Sequence, residues 1–314
     1  MKFDASVLNN TERIIFSLRA LYMASGYSRY TMSRFEEYDL YSRNKDFLVS
    51  DNVITFTDTN GMLMALKPDV TLSIIRNSRD EAGGLRKLCY NESVFRISKK
   101  TGSFKEIMQT GLECIGKIDT GCLTEVISLA GESLGMLSDS NVLEISDMDI
   151  VLAVLDSMTD SEDVKRRIIK CAGDRNLHEL LEVCRRENIP EEKSQALKDL
   201  LSSYGRADLV LPRLESLCKG ELLKDRLERM KEIISGIKDP AIRSRIEIDF
   251  SLIGDVSYYN GLVFRGFIDG IPDRVLSGGQ YDRLMEKMGK RSNAVGFAVY
   301  LDELERIDLP EEML

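Results

Sequence analysis

The order of hydrophobic periodicities constrains this chain most: strand-like alternation at both ends, separated by one long block with helical spacing. Towards the C-terminal end, Ile246, Ile248, Phe250 and Leu252 alternate with Glu247, Asp249 and Ser251. This is the pattern of an antiparallel strand with one buried and one wet face. Leu262 to Ile268, Arg274 to Ser277 and Val295 to Leu301 add three more strands. In the first half, Ile54 to Thr57 and Leu63 to Leu66 flank Thr59-Asn60-Gly61, and Asn-Gly between alternating runs marks a hairpin. Leu88 to Ile97 and Gly111 to Ile115 read as strands joined by a polar loop from Ser98 to Lys105, and Asn141 to Ser146 as a short strand. Helical spacing covers Ser6 to Ser25 ahead of Gly26, Leu72 to Arg79 after the Pro68 break, and Leu123 to Met136.

From about Asp147 to Ser244 the signal is helical. Pro190-Glu191-Glu192 opens one helix with proline and acids in its first turn, and Leu197, Leu200, Leu201 and Tyr204 form its buried stripe before Gly205. Leu223, Leu227, Met230 and Ile234 form the next stripe, closed by Gly236 and Pro240. The economical reading is an α+β fold with one mixed, largely antiparallel sheet flanked by helices. Residues 1–146 and 245–314 would build it, and 147–244 would be a helical insertion. No regular strand–helix alternation argues for a doubly wound parallel sheet.

At 314 residues, one large domain with an inserted piece is expected. A formal charge of −9 argues against a broad electrostatic grip on nucleic acid. The N-terminal stretch has the acids and lacks the apolar run that tell against a secretory signal, and no stretch has the length of a membrane span. Cys89, Cys114, Cys122, Cys171, Cys184 and Cys218 sit singly in apolar or helical runs, without CxxC spacing. Free thiols in a reducing cytoplasm follow, with neither disulfides nor a zinc site. The single histidine, His178, cannot build a histidine-rich metal site. No metal or cofactor is expected.

Four sets of residues could carry chemistry. Lys67-Pro68-Asp69-Val70-Thr71 ends a strand with a carboxylate and a hydroxyl that could accept an ammonium's protons; read alone, it is equally a helix N-terminus capped by Asp69 or Thr71. Phe95-Arg96, with Gln109-Thr110-Gly111-Leu112-Glu113, offers a guanidinium fork and an acid between apolar neighbours. That acid, Glu113, either meets solvent or needs a partner. Tyr258-Tyr259-Asn260-Gly261 could wall a pocket with two hydroxyls or simply pack. Ser277-Gly278-Gly279-Gln280-Tyr281-Asp282, followed by Gly289 and then Ala294-Val295-Gly296-Phe297-Ala298, permits close backbone approach to a ligand and tight strand packing. No P-loop signature accompanies these glycines.

In this order and spacing, the four sets resemble the catalytic domain of histidyl-tRNA synthetases and their relatives, a class II aminoacyl-tRNA synthetase-like fold, over nearly the whole chain. The first set looks like the family's Arg-Pro-(Asp/Glu)-x-Thr, the second like the second class II motif and the strand after it. The third resembles Tyr-Tyr-Thr-Gly, and the fourth resembles Gly-Gly-Arg-Tyr-Asp with the third motif. Four departures accompany the likeness. Gly254 stands where the family has an arginine four residues before the tyrosine pair, and Ser98 where the second motif has an acid. Ile107 replaces the aromatic that stacks on adenine, and Glu303 replaces the third motif's arginine. The resemblance thus implies an amino-acid pocket without the groups that activate the amino acid with ATP. The sequence also stops soon after the third motif, so no anticodon-binding domain is expected.

This combination, with the stretch from Ala172-Gly173-Asp174-Arg175 to Ser203-Tyr204-Gly205, is similar to the ATP phosphoribosyltransferase regulatory subunits, paralogues of the synthetases. That likeness implies a non-catalytic subunit that assembles with a short-form catalytic phosphoribosyltransferase and carries histidine feedback. It also implies self-association as a synthetase-like dimer. By the same likeness, Asp69, Thr71, Gln109 and Glu113 would receive the histidine ammonium and nearby donors, Arg96 would face the carboxylate, and Tyr258 and Tyr259 would line the imidazole side. The competing reading is a divergent class II-like ligase, with Lys99, Lys100 or Arg306 standing in for the missing cations.

Overall fold

The computed structural model describes residues 7–44, 48, 53–78, 84–98, 101–217, 220–253, 258–302 and 304. Two sheets occur among them, where the periodicity suggested one. The larger contains, from edge to edge, β1 (Ser28–Arg29), β5 (Arg86–Ile97), β6 (Phe104–Gly116), β12 (Asn293–Tyr300), β11 (Leu276–Gln280), β10 (Leu262–Ile268), β7 (Asn141–Asp147), β9 (Ile246–Asp249) and β8 (Tyr204–Arg206). Only β1–β5 and β7–β9 are parallel among its pairs, so the sheet is mixed and largely antiparallel. The smaller sheet contains β2 (Phe35–Glu37), β4 (Leu63–Leu66) and β3 (Thr55–Thr57). The Asn-Gly hairpin is present there: Asp58 accepts the amides of Asn60 and Met62 at 2.8 Å, and Gly61 takes φ +81°.

Strand period two sends alternate side chains of the large sheet into different cores. Cys89, Leu112, Cys114, Val295, Phe297 and Val299 face α1 (Asn10–Ala24) and α4 (Thr120–Leu137). Tyr22 of α1 is fully buried there, edge-on to Phe297 at 5.8 Å and hydrogen-bonded to Ser133 of α4 at 3.0 Å. Tyr90, Tyr258, Tyr281 and Ala294 belong to a second core with α3 (Val70–Asn77), α12 (Asp282–Lys287) and β4; α2 (Tyr38–Ser42) also packs there.

Between β7 and β9 run α5 (Met148–Met158), α6 (Glu162–Gly173), α7 (Leu177–Arg186), α8 (Glu191–Leu201), α9 (Ala207–Leu217), α10 (Glu221–Gly236) and α11 (Pro240–Ser244). Side-chain oxygens of Asp147, Ser161 and Asn176 cap α5, α6 and α7. Leu155, Leu180, Leu197, Leu227 and Met230 are continuous with the core beneath the sheet. Two expectations need correction. The block contains a strand, β8, which closes the sheet against β9. Tyr204 belongs to that strand, half-exposed beneath Arg175, instead of continuing the buried stripe of α8. Its position after the α8 C-cap, Ser202, carries it off the helical surface. His178 is exposed, five described cysteines are free thiols, and no acidic, histidine or cysteine cluster able to hold a metal occurs among the described residues; Cys218 lies outside them. No described helix is long and apolar enough to cross a membrane.

The two sheets meet at Lys67. Its amide donates to Arg34 O at 2.9 Å, its carbonyl accepts from Phe95 N at 2.8 Å, and its fully buried ammonium bonds Glu92 at 2.7 Å. Removing one partner of a buried pair strands the other charge. Lys67→Ala is therefore expected to lower unfolding free energy by about 3–5 kcal/mol, and Lys67→Met with Glu92→Leu to recover most of it. Urea unfolding of both variants checks this.

Candidate functional site

The site begins with the register of four strands. Glu113 pairs with Gly296, Gly111 with Ala298 and Gln109 with Tyr300 across β6 and β12. Tyr90 lies opposite Gly111 on β5, and Ser277 opposite Ala298 on β11. Period two therefore points Tyr90, Gln109, Glu113, Ser277, Ala298 and Tyr300 to one face. Together with Asp69, Val70 and Thr71 at the start of α3, Arg96 of β5, Tyr258, Tyr259 and Phe297, they line a cavity of about 90 Å³. All seven residues singled out from the sequence, Asp69, Thr71, Arg96, Gln109, Glu113, Tyr258 and Tyr259, are in this one lining.

Glu113 is the chemical centre of the pocket. It is 2% exposed, with Thr71 Oγ1 donating to its Oε1 at 2.7 Å and the Tyr281 hydroxyl donating to its Oε2. Burial pushes the carboxyl up to about 8; the two hydroxyls pull it down, and nearby Asp69 pushes it up again. Gly296 makes the position possible, because a Cβ there would stand 1.9 Å from Glu113 Oε2. Asp69 does both things considered from the sequence. Its Oδ1 caps α3 by accepting Leu72 N at 2.9 Å, and the residue lines the cavity. Burial raises its carboxyl, while the Leu72 amide and Arg96 oppose the rise.

Arg96 sits at the mouth, its Nε donating to Pro68 O at 3.2 Å. Tyr258 and Tyr259 stand with ring centroids 4.6 Å apart, and Tyr258 is 6.2 Å from Tyr281. Burial raises both hydroxyls of the pair well above the ordinary tyrosine range, so they are neutral donors. A Cβ at Gly279 would lie 2.7 Å from the Tyr259 ring, and one at Gly278 would lie 2.4 Å from Gly296 O and 2.6 Å from the Phe264 ring, so both glycines allow tight packing of strands and rings. Asn260 bonds Asp282 at 3.1 Å and pins the turn to β11, outside the lining.

A second cavity, of about 210 Å³, shares Arg96 and Tyr300 with the first and adds Lys105, Ile107, Asp273, Arg274 and Asp302. Of the four departures, Ser98 and Ile107 are described, and Ile107 lines this second cavity. Gly254 and Glu303 lie outside the described residues, as do Lys99, Lys100 and Arg306. The motifs did not contain Tyr90, Tyr300 or Arg274. The first two come from strand register, whereas Val70, Ser277, Phe297 and Ala298 reach the lining from inside the quoted sets.

An acid-centred, tyrosine-walled cavity set on a mixed, largely antiparallel sheet flanked by helices belongs to a class II synthetase-like fold. The chain belongs to the histidyl-tRNA synthetase family, whose model matches residues 5–304. It is 28% identical to the ATP phosphoribosyltransferase regulatory subunit of Alkaliphilus metalliredigens, covering 91% of this chain and 73% of that protein. The solved ATP phosphoribosyltransferase regulatory subunit/histidyl-tRNA synthetase from Bacillus halodurans superposes with TM-score 0.82 at 24% identity, over 94% of this chain and 78% of the other. A chain of the ATP phosphoribosyl transferase complex from Thermotoga maritima matches with TM-score 0.72 at 18% identity, over 96% and 99% respectively. These two structures speak to the fold alone.

The raised Glu113 carboxyl has a stability consequence. Its folded-state pKa lies above the unfolded value, so its favourable contribution is complete below the unfolded pKa and is lost as pH rises to about 8. Between pH 5 and 8 this one group costs about 3 kcal/mol of wild-type stability. Glu113→Gln lacks that loss. In urea unfolding, the variant's stability relative to wild type should increase by about that much on going from pH 5 to pH 8.

Proposed function

We propose that this chain is the regulatory subunit of an ATP phosphoribosyltransferase, without catalytic activity of its own. It is needed for the first step of histidine biosynthesis and takes part in histidine feedback. The observation that carries the reading is the gathering of all seven motif residues around Glu113 in one cavity, in a chain whose relatives bear that subunit's name. Histidine fits the chemistry. Asp69, Thr71, Gln109 and Glu113 would meet its ammonium and other N–H donors, Arg96 its carboxylate, and Tyr258 and Tyr259 its ring. Loss of ATP activation is part of the proposal, supported by Ser98 and Ile107 in place of the family's acid and stacking aromatic. The partners are a short-form catalytic phosphoribosyltransferase and a second copy of this chain.

The test is reconstitution. Mixed with a short-form phosphoribosyltransferase, the folded chain should raise its rate at least tenfold, and histidine should lower the rate of the mixture; an unchanged rate would contradict the proposal. One observation favours a second reading, an ATP-using amino-acid ligase: the adjoining cavity carries Arg96, Lys105 and Arg274. Amino-acid-dependent exchange of pyrophosphate into ATP separates the two. The regulatory reading expects no exchange with any of the common amino acids.

A further inference from the structure

The motifs provide one cation, Arg96, for a ligand's carboxylate, and the structure shows that it is partly committed. Its Nε donates to Pro68 O, so only the terminal nitrogens remain for a ligand. Arg274, which belongs to no quoted motif, lies just before β11 and lines the adjoining cavity with Arg96 and Tyr300. Its Nε is buried and has no hydrogen-bond partner among the described residues. Its guanidinium carbon lies 6.0 Å from the Tyr300 ring centroid, at the outer limit of a cation–π contact, so that ring contributes little to holding it. Asp273 and Asp302 share the cavity, and Asp302 Oδ1 already accepts Met108 N at 3.0 Å. An unsatisfied guanidinium donor is costly in a buried setting and is a ready partner for a planar anion.

The distribution of charge decides where that anion lies. Glu113 and Asp69 line the main cavity with carboxyl oxygens, which suit an ammonium and offer a carboxylate no counter-charge. Arg96 and Tyr300 are common to both cavities, so the two adjoin; the main cavity has two acids beside Arg96, and the second has three cations, Arg96, Lys105 and Arg274, beside Asp273 and Asp302. We infer that Arg274 is a ligand-binding residue that, with Arg96, receives the carboxylate of the amino acid held in the main cavity. This inference rests on the amino-acid reading of the pocket and adds to it a specific residue. Arg274 then selects free amino acids over their decarboxylated amines.

The experiment compares L-histidine with histamine, which keeps the ring and the ammonium but lacks the carboxylate, by calorimetric titration of the whole chain. Wild type should bind histidine at least tenfold more tightly than histamine. Arg274→Gln should weaken histidine at least tenfold and leave histamine unchanged, and Arg274→Lys, which keeps the charge without the fork, should fall between. Should Arg274→Gln fail to fold, the lysine variant alone still discriminates, because it must weaken histidine selectively. Equal weakening of both ligands, or undiminished histidine binding, would overturn the role of Arg274 and leave the pocket reading standing. A wild-type chain that binds neither ligand would overturn the pocket reading and this inference with it.

Discussion

A carboxylate buried in the wall of a β-sheet is the constraint around which the rest of this structure is arranged. Glu113 is 2% exposed, and burial pushes its carboxyl up to about 8, so it is largely uncharged at neutral pH. Keeping it there requires three separate pieces of chain. Thr71 comes from the start of α3, Tyr281 from the end of β11, and Gly296 from the middle of β12. Each lies at a junction between the main sheet and the second core. The pocket is therefore a product of how the two cores meet and not of any one loop.

Those junctions also explain the placement of polar residues that never touch the cavity. Lys67 and Glu92 pair beneath the crossing of the two sheets and hold the segment that delivers Asp69 and Thr71. Glu36 of β2 accepts hydroxyl hydrogen bonds from Tyr41 and from Ser73 of α3, and so ties the helix carrying Thr71 to the small sheet. Asn260 and Asp282 do the same for the tyrosine pair, with Asp282 also accepting Ala294 N at 2.9 Å. Satisfied buried polar groups of this kind specify one arrangement of the wall.

Much of the fold was legible in the sequence because its signals are local. The Asn60-Gly61 turn, the alternation at Ile246 to Ile248 and the proline-started helix before Leu197 each depend on neighbours within a few residues. The candidate lining was legible for another reason: four motifs kept a shared order, and their residues converge although each alone had a structural explanation. What escaped depends on register. Tyr90 and Tyr300 face the cavity because of which residue lies opposite them, and pairing over such separations leaves no periodic trace in one strand. Tyr204 misled because the spacing of α8 carries on to it after the helix has ended. The second sheet escaped because three strands of three or four residues look the same whether they join a large sheet or a small one.

The central claim is that the Glu113-centred cavity still receives an amino acid while the triphosphate partner of the synthetase reaction is no longer used. Calorimetric titration of the isolated chain with histidine and with ATP, repeated on Glu113→Gln, tests it most directly. The account predicts one histidine site per chain, weakened at least tenfold by the substitution, and no ATP-dependent gain in histidine affinity. Histidine binding indifferent to the substitution, or absent from wild type, would contradict it.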